Sequence, residues 1–178
     1  MPFSFPAKLT DCGAHAFDEL SYPGDSIKQE YKEDILVGYR WHDTKKIPAL
    51  FPFGHGLSYT TFTYGKPVAS AKVMAADGTL TLTVAVKNTG SIAGKEIVQL
   101  YIGDDKCSVL RPVKELKHFA KVALAPGEEK NVTFTLTPDD LKFYDEASAA
   151  WKYEPGKFKA YVCASSADVR GVVPFEMQ

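Results

Sequence analysis

Three pairs of neighbouring acids, Asp104-Asp105, Asp139-Asp140 and Asp145-Glu146, are the residues of this 178-residue chain best suited by type to acid–base work. Two carboxyl groups held about 5–5.5 Å apart can act as nucleophile and acid/base in the hydrolysis of a glycosidic bond. Chain neighbours on a strand point to opposite faces, so sequence adjacency is a poor route to such a facing pair. Asp139-Asp140 follows Thr137-Pro138, and acids in the first turn of a helix complement its dipole. Solvated or capping roles are therefore expected for all six, and no catalytic residue is assigned.

Other reactive types fare no better. The histidines, His15, His42, His55 and His118, show no i, i+4 pair and no HExxH, which removes the usual helical metal site. Cys12, Cys107 and Cys163 are an odd number at wide spacing with no CxxC, so they read as free or buried thiols. No metal and no cofactor is expected. Gly54-His55-Gly56 opens like a dinucleotide loop, but Tyr59 stands where the third glycine belongs. The two glycines instead permit a tight backbone path within which His55 hydrogen-bonds. Gly56-Leu57-Ser58-Tyr59-Thr60 does not complete GxSxG, so Ser58 is not a nucleophile at an elbow. Sugar stacking remains open. Trp41, Trp151, Tyr101, Tyr153 and Tyr161 have the right amphipathic type, although sandwiches use such residues as core and cross-strand pairs. Trp151, Tyr153 and Trp41 are the stacking candidates, the first two sharing a face of one short strand. Asn131-Val132-Thr133 is a formal glycosylation sequon.

The elements that would position these residues are mostly strands. Thr79 to Val86 alternates apolar with polar, the period of a half-buried strand. Glu96–Ile102, His118–Leu124, Asn131–Thr137, Trp151–Tyr153, Phe158–Ala164 and Val172–Met177 follow, separated by turn residues such as Asn88-Thr89-Gly90, Pro126-Gly127 and Pro155-Gly156. Thr137 reads as a cap before one helical turn through Tyr144. Strands at this spacing predict a β-sandwich of about seven strands over residues 65–178. Residues 1–64 differ. Met1–Pro6 is broken by two prolines and suits only an edge strand or arm, Asp11–Ile27 is loop, and Ile35–Trp41 is an apolar run without a second hydrophobic element beside it.

Composition bounds the function. At 45% hydrophobic and 24% charged the chain is of ordinary globular type. Its net charge of −1 favours neither nucleic acid nor an anionic membrane as partner. No stretch reaches the ~20 apolar residues of a membrane span, and Met1–Ala7 has no signal-peptide pattern.

Leu50-Phe51-Pro52-Phe53-Gly54-His55-Gly56-Leu57-Ser58-Tyr59-Thr60-Thr61-Phe62 resembles the C-terminal signature of glycoside hydrolase family 3, the β-glucosidases and β-xylosidases. Val86–Gly90, Gly94–Tyr101, Arg111–Leu116, Leu124–Glu128, Leu141–Asp145 and Pro155–Phe158 resemble the fibronectin type III-like domain of many such enzymes; His118 and Cys163 depart from that pattern, standing where glycine is common. Pro2–Pro6 and Tyr31–Asp43 resemble the last elements of the family's α/β sandwich domain. The resemblance implies a mainly β chain, a fibronectin type III-like (immunoglobulin-like) β-sandwich preceded by the incomplete C-terminal tail of an α/β sandwich domain. It implies a parent that hydrolyses terminal β-glucosyl or β-xylosyl units with retention, periplasmic or secreted, whose two catalytic carboxylates lie in motifs this chain lacks. Gly54, His55, Gly56 and Tyr59 are then structural signature residues. The expected role is accessory, with the catalytic domains of the parent as partners and no catalysis from this chain alone. A carbohydrate-binding or protein–protein interaction module is the alternative. The uncovered segment 1–62 is expected to be poorly ordered or paired with a second copy.

Overall fold

The computed structural model describes residues 1–178. Its elements in chain order are β1 (Phe5–Pro6), α1 (Tyr39–Lys45), β2 (Ala49–Phe51), β3 (Phe62–Tyr64), β4 (Val68–Ala69), β5 (Val73–Met74) and β6 (Leu80–Asn88). There follow β7 (Gly94–Asp104), β8 (Glu115–Leu124), β9 (Glu129–Leu136), β10 (Phe143–Asp145), β11 (Ala150–Lys152), β12 (Gly156–Cys163) and β13 (Val169–Met177).

The alternation read along β6 is what the fold uses: Leu80, Leu82, Val84 and Val86 are buried, and the residues between them are not. β9 pairs along the whole of β6, from Leu80 opposite Leu136 to Lys87 opposite Glu129. The other edge of β6 is shared by β3 and β4, one after the other. Facing this sheet is a second of five strands in the order β5-β13-β12-β7-β8, antiparallel throughout except where β5 joins β13 in parallel. Leu82, Val84, Phe134 and Leu136 from one sheet and Leu100, Ile102, Phe158 and Phe175 from the other belong to one apolar cluster, the packing expected of two stacked sheets.

The chain is thus mainly β and fibronectin type III-like, as expected, with three differences of detail. β3, β4 and β5 are too short to leave a period-two signal. β11 does not enter either sheet; it pairs only with β10 in a separate hairpin. The helical turn after Thr137 sits earlier than expected, as a 3₁₀ turn over Pro138–Leu141. There Asp140 Oδ2 accepts hydrogen bonds from Thr137 N (2.8 Å) and Thr137 Oγ1 (3.1 Å), which closes the turn one residue after Asp140.

β7 is buried on both faces through its middle, and this explains its nearly unbroken apolar run. Val98, Leu100 and Ile102 face the sandwich core. Gln99 and Tyr101, also buried, meet the N-terminal segment instead. That corrects part of the expectation for residues 1–62: the segment has a packing surface within its own chain. Trp41 is buried with its indole N–H donating to Asp11 O at 3.0 Å and its ring edge-on to Phe17 at 5.8 Å.

Candidate functional site

The signature residues form a turn that seats the N-terminal segment on the sandwich. His55 N donates to Pro52 O (3.0 Å), and the chain turns through Gly54 at φ +83°. A Cβ on Gly54 would also strike the side-chain amide of Gln99. Gln99 cannot move aside freely, because its Nε2 donates to Ala164 O (3.2 Å) and its Oε1 accepts from Tyr101 Oη (2.5 Å). Gly54 is therefore needed for both conformation and space. We predict that Gly54→Ala lowers the unfolding free energy by about 2–3 kcal/mol, read as a lower urea midpoint at unchanged slope.

The other three signature residues behave differently. A Cβ on Gly56 would meet open space. His55 bonds within the turn through its backbone, its O accepting from the Met1 ammonium at 2.6 Å, while its imidazole lies 5.3 Å from the Phe51 ring. Tyr59 is 97% exposed and supports nothing in this chain.

α1 locks onto β7 and β8 beside that turn. Tyr39 packs against Phe53 (5.3 Å) and edge-on against Tyr101 (5.5 Å), and its hydroxyl accepts from Leu116 N at 2.9 Å. Thr44 Oγ1 accepts from Val113 N at 3.1 Å. Between these contacts Lys114 Nζ donates to Asp43 Oδ2 at 2.5 Å, both side chains nearly shielded from solvent. Burial holds the Asp43 carboxyl above its ordinary range, and Lys114 opposes that shift.

A second knot lies where the signature run enters the sandwich. Asn88 has no solvent exposure. Its Nδ2 donates to Ile92 O (2.8 Å) and Leu124 O (3.1 Å). Its Oδ1 accepts from Thr60 Oγ1 (2.6 Å) and Gly90 N (3.0 Å). Every hydrogen-bonding position of the amide is used.

Next to it, residues Gly54–Ser58 and Thr60–Phe62 wall one side of a cavity of about 520 Å³. Glu96 stands in that cavity and accepts from Tyr64 Oη at 2.9 Å, with Arg170 over the Tyr64 ring. Burial raises the Glu96 carboxyl above 4.5, and Tyr64 and Arg170 offset this only in part. A carboxyl raised on folding contributes stability below pH 4.5 that is lost as the pH climbs through its folded value. Glu96→Gln keeps an acceptor for Tyr64 and removes the charge. The variant is expected to melt at a higher temperature than the parent chain at pH 7, with the difference vanishing near pH 4.

Five of the six acids in the neighbouring pairs are brought to separate partners, and the Glu146 side chain to none. Asp104 faces Arg111 (3.4 Å) and Asp105 faces Lys159 (2.7 Å). Asp139 pairs with Lys142 (2.6 Å) while Asp140 caps its turn and meets His118 Nε2 (3.0 Å). Asp145 Oδ2 accepts from Ser148 N (3.0 Å) and pairs with Lys152 (2.9 Å). Of the stacking candidates, Trp41 is enclosed in the N-terminal segment and cannot present a face, and Tyr153 packs on the sandwich core. Trp151 alone is open, 66% exposed, with Tyr144 edge-on at 5.8 Å. All three cysteines are free; burial pushes the Cys163 thiol up to about 12. The docking residues Tyr39, Asp43, Gln99 and Lys114 were not singled out from the sequence. A polar Gln99 inside the apolar run of β7 was the one available signal.

The comparisons with known proteins agree with this architecture. Residues 96–166 match the fibronectin type III-like domain family. The β-glucosidase BoGH3A of Bacteroides ovatus is 66% identical over 176 residues, which are 99% of this chain and 24% of that enzyme. The thermostable β-glucosidase B of Acetivibrio thermocellus is 48% identical over 93% of this chain and 22% of its own length. DesR, a β-glucosidase from Streptomyces venezuelae solved with D-glucose, superposes at a TM-score of 0.90 and 41% identity over 99% of this chain and 22% of its own. The chain spans about a quarter or less of the length of each of these relatives.

Proposed function

Because the chain belongs to glycoside hydrolase family 3, corresponding to the C-terminal, fibronectin type III-like part of its β-glucosidases, we propose that it acts as the accessory part of a retaining β-glycosidase. In this reading residues 1–64 complete the edge of the α/β sandwich domain, residues 65–178 buttress it, and the catalytic groups come from elsewhere in the enzyme. The parent's substrate class is terminal β-glucosyl or β-xylosyl units.

The observation that carries the reading is the pattern of exposure. Ile27, Tyr31, Leu57 and Tyr59 stand 74–97% exposed, and Phe3, Phe5 and Phe51 line up ring to ring on the β1–β2 ribbon with their faces open. Apolar surface of this kind marks a place where another body sits, and a two-strand ribbon keeps unpaired edges. The sandwich, in contrast, closes its own core. The missing cover is what the remaining three quarters of a family 3 enzyme would supply.

A second copy of the chain is the competing occupant of residues 1–62. Sedimentation of the purified chain, alone and mixed with a family 3 β-glucosidase truncated before the matching segment, separates the two. A one-to-one complex with the truncated enzyme is expected. A stable homodimer indifferent to that enzyme would favour self-association, and a monomer in both runs would defeat both readings.

A further inference from the structure

A concavity of about 850 Å³ opens where Asp34, Ile35 and Arg40 of the N-terminal segment meet the β7–β8 connection and the β10–β11 hairpin. Its size falls in the span of roughly 300–1,000 Å³ typical of small-molecule sites, and such sites favour the boundary between two packed bodies. The hairpin is the unusual wall. It joins neither sheet, yet it is anchored from beneath. Phe143 is buried, with the Arg111 guanidinium 5.6 Å and Lys152 Nζ 5.8 Å from its ring centre, and Lys152 pairs with Asp145 at 2.9 Å. Tyr144 and Trp151 are direct partners across the hairpin, so their side chains leave by the opposite face. There they stand edge-on at 5.8 Å, 51% and 66% exposed. An anchored hairpin thus holds two large rings out of the core, where their apolar surface adds little to folding.

The charges of the wall cancel. Four acids and four cations line it, and they are largely turned on one another or on close neighbours: Arg111 reaches Glu115 Oε2 at 2.8 Å, Lys117 Nζ lies 3.7 Å from the same oxygen, and Asp145 is held by Lys152. No net charge is left to select an ion. Hydrogen-bonding groups of both kinds remain. The partly exposed Arg40 guanidinium supplies N–H donors, and the Glu146 carboxylate, which enters none of the chain's ion pairs, supplies acceptors. A hydroxyl group both donates and accepts, so a ligand rich in hydroxyls suits this wall better than a lone carboxylate or ammonium.

We propose that this concavity binds a neutral oligosaccharide, one pyranose face laid on the Trp151 indole and its hydroxyls bonded by Arg40 and Glu146. An exposed indole offers the flat apolar face that a sugar's C–H surface matches, and the edge-to-face contact with Tyr144 sets the ring's orientation before the ligand arrives. Neither Trp151 nor Tyr144 has a core role to explain its place. The expectation that the sugar is β-linked rests on the reading of the parent as a β-glycosidase; the expectation that it is neutral rests on the charge balance of the wall alone.

The test is a titration of the purified chain with cellotriose and with glucose, read by tryptophan fluorescence and by calorimetry. Trp41 is buried, so the fluorescence change reports on Trp151. Saturable binding of cellotriose is expected, at least tenfold tighter than glucose, and a tenfold rise in salt should leave it unchanged because a neutral ligand has no charge to screen. By calorimetry Trp151→Ala should weaken it tenfold or more at an unchanged melting temperature, the position being exposed. Phe119→Ala, equally exposed but outside the concavity, should bind as the parent chain does. No saturable binding, equal affinity for glucose, loss of affinity with salt, or a Trp151→Ala variant that binds normally would each overturn the proposal. The titration needs no partner enzyme, so this inference and the accessory reading fail separately: a chain that assembles with the truncated glycosidase but ignores cellotriose sinks only the saccharide site.

Discussion

Asn88→Ala should remove about 4 kcal/mol of unfolding free energy, because it strands several buried groups at about 1–3 kcal/mol each. The carbonyls of Ile92 and Leu124 lose their donor, and Thr60 Oγ1 and Gly90 N lose their acceptor. The Leu124 carbonyl is the most enclosed of the four, its bond to Asn88 being buried, whereas Thr60, Gly90 and Ile92 lie nearer the surface. Asn88→Asp should be comparably harmful. It keeps the two acceptor contacts but points a carboxylate oxygen at two carbonyl oxygens. Thr60→Val, which breaks one bond of the four, should cost about 1 kcal/mol. Urea unfolding of the three variants reads the order directly; an Asn88→Ala loss no larger than that of Thr60→Val would mean that the amide does not act as the knot described.

The next largest effect is expected at the seam between α1 and the sandwich. Lys114→Met should cost about 3–4 kcal/mol near neutral pH, since it leaves Asp43 as a buried charge without its partner. The pH dependence has a definite sign. Asp43 is already raised by burial with Lys114 opposing, so losing Lys114 raises it further. The variant's deficit must therefore grow as pH rises and shrink as Asp43 takes up a proton in acid. Adding Asp43→Leu should restore most of the loss, because a paired charge in the interior is worth little more than apolar packing of the same shape. A double-mutant cycle in which the two losses simply add would contradict the seam.

Much of the sandwich was legible because period-two alternation survives wherever a strand has one dry and one wet face. β6, β9 and β12 are of that kind, and the turns at Asn88-Thr89-Gly90 and Pro126-Gly127 bracket them. β7 was legible as a strand, but the reason for its continuous run was not. Only the structure shows Tyr39 and Phe53 covering its second face. Trp151 and Tyr153 were expected on one face of a sheet strand. β11 ends at Lys152 and the chain then bends toward the core, so the two part company. Trp41 misled in another way: an amphipathic ring reads alike whether it is offered to a sugar or enclosed by its own loop, and burial by Asp11 and Phe17 is a long-range contact with no local signature. Gly54 was marked by its pattern, while its cause, the collision with Gln99 forty-five positions on, needed coordinates.

We propose that this chain supports a family 3 glycosidase whose catalytic groups come from elsewhere in the enzyme. Five of the six acids in its pairs are committed to caps and ion pairs, Glu146 alone standing apart, and the apolar surface of its first 62 residues is open to a cover. The most direct measurement is hydrolysis of aryl β-glucoside and aryl β-xyloside by the purified chain over hours, beside an intact family 3 β-glucosidase. No turnover above buffer by the chain is predicted. Turnover that survives repurification, and falls when one of the acidic residues is replaced, would contradict the account.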